Sequence, residues 1–153
     1  MNMKQFFITL YVVLMSVQVA DAASFKLVSG MSETSVTTEN LEKLPQAVIR
    51  TSTNFTPRAE FQGVPFSELV AKYNIESPEL RFFALDDYSY TIPIRELIKY
   101  HAILAYKKNG ALIPVSDLGP FVVIYPLDSH PELSRSDINA KTVWQIDKVE
   151  GTQ

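Results

Sequence analysis

The chain has 153 residues, a length that supports one domain with a hydrophobic core and is short for two domains of ordinary size. Hydrophobic residues make up 46% of it and charged residues 20%, a balance typical of globular proteins. The net charge of −3 gives no basic surface for phosphate backbones, which argues against nucleic acid as a partner. Because the sequence contains no cysteine, its stability must come from packing rather than from disulfides.

The N-terminal segment has the pattern of a secretory signal peptide. Lys4 supplies the positive charge, residues 6–19 are mainly apolar, and residues 20–22 (Ala-Asp-Ala) match the small-residue cleavage pattern. The apolar run is shorter than the roughly 20 residues that a spanning helix needs, although an uncleaved anchor is the alternative. We expect a signal peptide over residues 1–22, a single domain over residues 23–153, and export to a bacterial periplasm without membrane insertion after cleavage.

Short helices and strands follow, in no repeating βαβ order. Thr38 is a suitable N-cap for a helix that Pro45 ends, and Pro65 is a suitable first residue of a second helix. Asn109-Gly110 supplies the positive φ angles of a type I′ hairpin turn. A third helix is predicted over residues 94–100, and strands are predicted over residues 47–51, 80–85, 89–92, 102–107, 111–113, 121–125 and 142–149.

These elements predict an α+β domain in which a strongly bent, mostly antiparallel sheet, or half-barrel, carries short helices. One polar segment stands apart, at residues 127–140. A loop of this length within a compact domain is usually functional or disordered. The sequence therefore directs attention to this segment as part of a site.

A series of motifs, each weak alone, resembles the molybdopterin-binding domain of the sulfite oxidase family. They occur in the family's order and at compatible spacing, and the resemblance covers roughly residues 46–150. It implies the fold of that domain. The motifs are Gly63–Phe66, Tyr88–Pro93, Leu104–Tyr106, Asn109–Leu112, Gly119–Pro120 and Val123–Pro126.

The enzymes of this family hold molybdenum through a cysteine, and the resemblance places the corresponding region at residues 50–54, Arg-Thr-Ser-Thr-Asn. Hydroxyl groups do not replace a thiolate on a soft, high-valent metal. The chain is more similar to small exported cysteine-less proteins of this fold, which bind a pterin and regulate a membrane-bound cyclic-di-GMP enzyme through its periplasmic domain. That resemblance implies a pterin ligand, no molybdenum, no metal ligands and no catalytic residues. The alternatives are a molybdopterin-dependent oxidoreductase and an interaction module without a ligand.

The resemblance also implies ligand-binding residues in loops at one cleft. Asp87 would accept hydrogen bonds from the amino-pyrimidine edge of the pterin, or else cap a turn. Tyr88 and Trp144 would flank the ring, with core packing as the alternative for Trp144. Arg50 would donate to the oxo group of the ring, or pair with a nearby acid.

The remaining candidates come from the cysteine region and from the C-terminal half. Thr51 and Thr53 would offer hydroxyl groups where the enzymes have their cysteine. Lys141 lies where the enzymes place a basic residue for the phosphate of the cofactor. Ser129 and His130 would form a lid over the ligand.

Overall fold

The computed structural model describes residues 22–133 and 136–153. The predicted signal peptide lies outside the described residues, apart from Ala22 at its end. Within the part of the chain that is described, no helix is long and apolar enough to cross a membrane.

Short strands and short helices alternate through these residues. Two 3₁₀ turns, Leu127–Ser129 and Pro131–Leu133, and a helix occupy the polar segment that the sequence marks as a loop. The elements, in chain order, are β1 (Ser24–Ser29), β2 (Ser32–Thr37), α1 (Thr38–Glu42), β3 (Ala47–Thr51), β4 (Ala59–Pro65), α2 (Phe66–Lys72), β5 (Glu79–Ala84), β6 (Ser89–Pro93), α3 (Ile94–Lys99), β7 (Ile103–Lys108), β8 (Ala111–Leu112), β9 (Val122–Ile124), α4 (Ser136–Lys141) and β10 (Ile146–Thr152).

The strands form two five-stranded sheets. The first sheet has the order β2-β1-β10-β5-β6, and the second has the order β3-β4-β7-β8 with β9 also paired to β7. Only the β1–β10 pair is parallel among the described strand pairs. The predicted α+β class with mostly antiparallel strands and short helices is confirmed, although the strands are divided between two sheets instead of forming one.

Strand β7 of the second sheet is buried on both faces along its first four residues. Successive side chains of a strand point to opposite faces, so Leu104 and Tyr106 of β7 join the main core while Ile103 and Ala105 join a smaller cluster behind the sheet. The main core also contains the apolar residues of the first sheet. Trp144 packs against the smaller cluster, and this contact fixes one wall of the site described below.

The predicted elements are largely observed, with specific corrections. Asn109 and Gly110 have φ angles of 51° and 82°, as the hairpin prediction requires. The helix cap is Thr37, one residue before the predicted Thr38, and it forms a capping box with Asn40. In the third helix, Ile94 and Leu97 are buried, whereas Ile98 is 39% exposed.

The last strand begins later than the sequence predicts. Gln145 has a φ of 50°, which interrupts extended backbone, and the strand starts at Ile146 instead of Thr142. Residues 142–144 therefore belong to a connection that follows α4 rather than to a sheet. This difference places Trp144 beside a pocket and not on a strand face.

Candidate functional site

A pocket of about 340 Å³ lies between the end of α4 and the turn that joins β5 to β6. Three aromatic residues, an aspartate, an asparagine, a threonine and an alanine line it. We call it the Trp144 pocket. Its lining residues are Phe55, Asp86, Tyr88, Asn139, Ala140, Thr142 and Trp144.

Aromatic side chains form the walls of the Trp144 pocket. The rings of Phe55 and Trp144 meet edge to face, with centroids 3.9 Å apart and an interplanar angle of 87°. The Tyr88 hydroxyl donates to the carbonyl oxygen of Ala140 at 2.8 Å, which ties the β5–β6 turn to α4. Burial, and then the nearby Tyr90, raise the pKa of Tyr88, so that its hydroxyl stays protonated as a donor. The walls are therefore suited to a flat ring.

Asp86 is the carboxylate of the Trp144 pocket, and Asp87 is not. The Asp86 Oδ1 atom accepts the backbone N–H of Tyr88 at 3.1 Å. Asp87 adopts a φ of 67° and donates its own backbone N–H to the carbonyl oxygen of Ala84 at 3.1 Å. It faces a separate hollow that includes Lys26 and Lys148. The sequence analysis singled out Asp87 in this turn, whereas the structure brings the neighbouring Asp86 to the aromatic walls.

Two further polar residues enter the pocket from α4 and the segment that follows it. Asn139 offers both an amide donor and a carbonyl acceptor. The Thr142 hydroxyl donates to the carbonyl oxygen of Ile138 at 2.9 Å, which leaves its lone pairs as acceptors. A ring with both donors and acceptors along its edges has complementary groups here.

Lys141 is not among the pocket residues. Its ammonium nitrogen lies 2.7 Å from Glu96 Oε1 and 3.5 Å from Asp137 Oδ2, and only 12% of its side chain is exposed. The Tyr125 hydroxyl also donates to Glu96, at 3.2 Å. Burial alone would lower the pKa of Lys141, but the hydrogen bond and charge of Glu96, with Asp137, outweigh burial and raise it. Lys141 is thus a charged residue that joins α4 to α3.

The cysteine region lies next to the pocket and leads into Phe55. Arg50 is exposed and pairs with Glu60 at 2.9 Å, which is the acid-pairing alternative for this residue. Thr51 is fully buried, and its hydroxyl both donates to Asp128 Oδ1 and accepts the Asp128 backbone N–H. Phe55 lines the Trp144 pocket, whereas Arg50 and Thr51 do not.

Thr53 and the predicted lid have structural partners elsewhere. The Thr53 hydroxyl accepts the backbone N–H groups of Phe55 and Thr56 at 3.1 and 3.0 Å, so it shapes the turn that presents Phe55. Ser129 is exposed, and His130 pairs with Glu132 at 3.1 Å. Neither Ser129 nor His130 lines the Trp144 pocket.

Asp128 holds the start of the polar segment, residues 127–140, against the end of β3. Hydrogen bonds from the backbone N–H and then the hydroxyl of Ser52, joined by the Thr51 hydroxyl and the Arg58 charge, hold the pKa of Asp128 below its ordinary value. The carboxylate is therefore charged at neutral pH. It fixes residues 51 and 52 just before the turn that carries Phe55.

Comparison with known proteins identifies the family. Residues 14–127, more than half of the chain, match the family described as the oxidoreductase molybdopterin binding domain. The chain belongs to this family. No curated protein sequence matches it.

Among solved structures, the fold is similar to that of the sulfane dehydrogenase SoxCD from Paracoccus pantotrophus, with a TM-score of 0.63 and 14% sequence identity. The similarity covers 83% of this chain and 37% of that chain, so the protein spans well under half the length of the dehydrogenase chain. The predicted sulfite oxidase-type fold is thereby confirmed.

The residues of this molybdopterin-binding domain do not fit a thiolate-held metal. The sequence has no cysteine, and threonine and serine stand in the region that carries the thiolate in the enzymes that the chain resembles. Within residues 22–133 and 136–153, no group of three or more histidine, cysteine, aspartate or glutamate side chains could hold a metal ion. The Trp144 pocket itself is lined by aromatic and polar side chains with a single carboxylate, Asp86.

Asp86, Phe55 and Asn139 are among the pocket residues that the sequence prediction missed. Asp86 and Asp87 are adjacent, and the sequence does not reveal which of them a turn directs inward. Phe55 directly follows the cysteine region, and an aromatic residue beside that region was a usable signal. Asn139 was assigned to a polar loop, and only the helix that forms there gives its side chain a direction.

Proposed function

We propose that this member of the molybdopterin-binding domain family is an exported, non-enzymatic protein that binds a pterin. In this proposal the liganded protein regulates a membrane-bound cyclic-di-GMP enzyme by contacting its periplasmic domain. The Trp144 pocket is the ligand site. The protein acts there as a receptor and performs no redox step.

The observation that carries this proposal is the chemistry of the pocket. A pterin is a flat heterocycle whose amino-pyrimidine edge presents N–H donors and whose oxo and ring nitrogen atoms accept hydrogen bonds. The aromatic walls formed by Trp144, Phe55 and Tyr88 offer ring faces and edges for stacking. Asp86 offers a carboxylate to the N–H donors, and Asn139 offers an amide donor to the acceptors.

The non-enzymatic part of the proposal is supported by the donor set. A molybdenum enzyme of the type that the sequence resembles needs a thiolate in the region of residues 50–54, and this chain has hydroxyl groups there. Thr51 and Thr53 are moreover engaged in hydrogen bonds that shape the adjoining loops. A molybdopterin oxidoreductase with a different metal ligand is the second candidate, and the family membership favours it.

The regulatory part is supported by the surface around the pocket mouth. Phe55 and Tyr88 are 46% and 42% exposed, although both line the pocket. Leu85 and Val115 are 51% and 49% exposed, and hydrogen bonds join the backbones of both residues to Gln145, the residue after Trp144. Exposed apolar side chains that gather at one place are typical of surfaces that a partner covers. A partner docked there would contact the ligand.

Analysis of the purified mature protein tests this proposal. The protein is denatured, the released small molecules are identified by fluorescence and mass spectrometry, and molybdenum is measured in parallel. A pterin at near-equal molar ratio without molybdenum is the expected result. Bound molybdenum would support the oxidoreductase instead. If no pterin is released, and none binds when the protein is titrated with reduced pterins, the chain is an interaction module without a ligand.

A further inference from the structure

We infer that the Trp144 pocket selects pterins that carry no phosphate and discriminates against phosphorylated ones, molybdopterin included. This inference rests on the proposed function, because it specifies the ligand class of the same pocket. It comes from the charges around the pocket and is independent of the missing cysteine.

The described pocket residues include no lysine or arginine. A phosphate group in a binding site normally meets arginine, lysine or a series of backbone N–H groups. The only formal charge among the described lining residues is the negative charge of Asp86. The pocket therefore offers a phosphate group no cation and places a carboxylate close to it.

Three cations of the described residues near the pocket are paired with carboxylates. Lys141, which follows the pocket residue Ala140, is held by Glu96 and Asp137 with little exposure. Arg50 pairs with Glu60, and Arg58 lies 3.8 Å from Asp128. These three side chains come from the two segments that flank the pocket.

The burial of Lys141 makes its pairing costly to undo. Release of its ammonium group would leave the partly buried Glu96, among the residues that the structure describes, with the Tyr125 hydroxyl as its hydrogen-bond partner and no cation. Breaking a buried ion pair is unfavourable because it leaves an uncompensated charge. A phosphorylated ligand would thus have to compete with Glu96 for this lysine.

The test compares dihydroneopterin with dihydroneopterin triphosphate, which share one ring system. Binding to the mature protein is measured by isothermal titration calorimetry at low and at physiological ionic strength. At low ionic strength we expect the triphosphate to bind at least about tenfold more weakly, because its charges repel Asp86 without compensation. Added salt should narrow the difference, since it screens exposed charges.

A matched pair of variants introduces or omits the missing cation. Ala140→Lys places an ammonium group at the pocket edge, and Ala140→Gln adds similar bulk without charge. The Ala140 carbonyl that accepts the Tyr88 hydroxyl is retained in both. The quantity to compare is the affinity for the triphosphate divided by the affinity for dihydroneopterin. This ratio should be higher in Ala140→Lys than in the wild type, and the same in Ala140→Gln as in the wild type.

The outcomes distinguish failure of this inference from failure of the proposed function. Equal or tighter binding of the triphosphate by the wild-type protein would overturn the inference and leave the pterin-binding proposal standing. An unchanged affinity ratio in Ala140→Lys would also count against it, because charge would then not control the discrimination. If neither ligand binds the wild-type protein, the proposed function fails and the inference falls with it.

Discussion

Replacement of Asp86 by asparagine is the most selective perturbation of the proposed ligand site. Asparagine keeps an Oδ1 atom for the backbone N–H of Tyr88, which Asp86 accepts at 3.1 Å, so the β5–β6 turn should be preserved. The substitution removes the negative charge and turns one acceptor into an amide donor. Two N–H groups on the pyrimidine edge of a pterin would then face a single acceptor and a competing donor.

The expected loss follows from the exposure of the site. A hydrogen bond to a charged group contributes about 1.5–3 kcal/mol. Asp86 is exposed to solvent, so the lower end of this range applies. A loss of about 1.5 kcal/mol corresponds to a roughly tenfold increase in Kd. Calorimetric titration of both proteins with dihydroneopterin measures this difference.

The matched control is Asp87→Asn. It removes the same charge from the same turn, and asparagine tolerates the φ of 67° that Asp87 adopts. Because Asp87 faces a different hollow, the control should bind the pterin as tightly as the wild type. If Asp87→Asn weakens binding and Asp86→Asn does not, the sequence-based assignment of the acceptor is right, and the pocket assignment is refuted.

Three further predictions concern the scaffold of the site. Gly63→Ala should lower the free energy of unfolding by about 1–3 kcal/mol in a urea titration, because an added Cβ would collide with the backbone carbonyl of Leu104; wild-type stability would contradict the close β4–β7 contact. Lys141→Met should lower thermal stability, and Lys141→Arg should restore most of it, since Glu96 needs a cationic partner; equal stability of all three proteins would refute this role. Asp128→Asn should be less stable than wild type near neutral pH. The pKa of Asp128 is lowered in the folded state, so its contribution to folding stability is present above the unfolded pKa of about 3.9 and is lost as pH falls through the folded pKa. A stability difference between the two proteins that persists in acid would count against this role of Asp128.

The sequence predicts those parts of the fold that local chemistry determines. Asn109-Gly110 specifies a hairpin turn by its backbone preferences, and β3 has the predicted bounds because its β-branched residues cluster. The strands β1 and β2 were not predicted. The strand β2 is rich in serine and threonine and mostly exposed, so its hydrophobic pattern is weak, and it depends on pairing with β1.

The site is less predictable than the fold, because it depends on side-chain direction. Tyr88 and Trp144 were both chosen from the sequence, and the structure brings them to one pocket. Lys141 was chosen as a ligand residue, yet its ammonium group pairs with Glu96 at 2.7 Å. The two residues are 45 positions apart in the sequence, which conceals this pair. The sequence also does not show which of Asp86 and Asp87 lines the pocket, because either aspartate fits the same turn pattern.

The decisive measurement is a structure of the mature protein with a bound reduced pterin, such as dihydroneopterin. We expect the ring to lie in the Trp144 pocket against its aromatic side chains, with its amino-pyrimidine edge toward Asp86. We also expect Lys141 to keep its contact with Glu96. A ring bound elsewhere, for example in the groove beside Arg95 and Tyr100, would refute the pocket assignment.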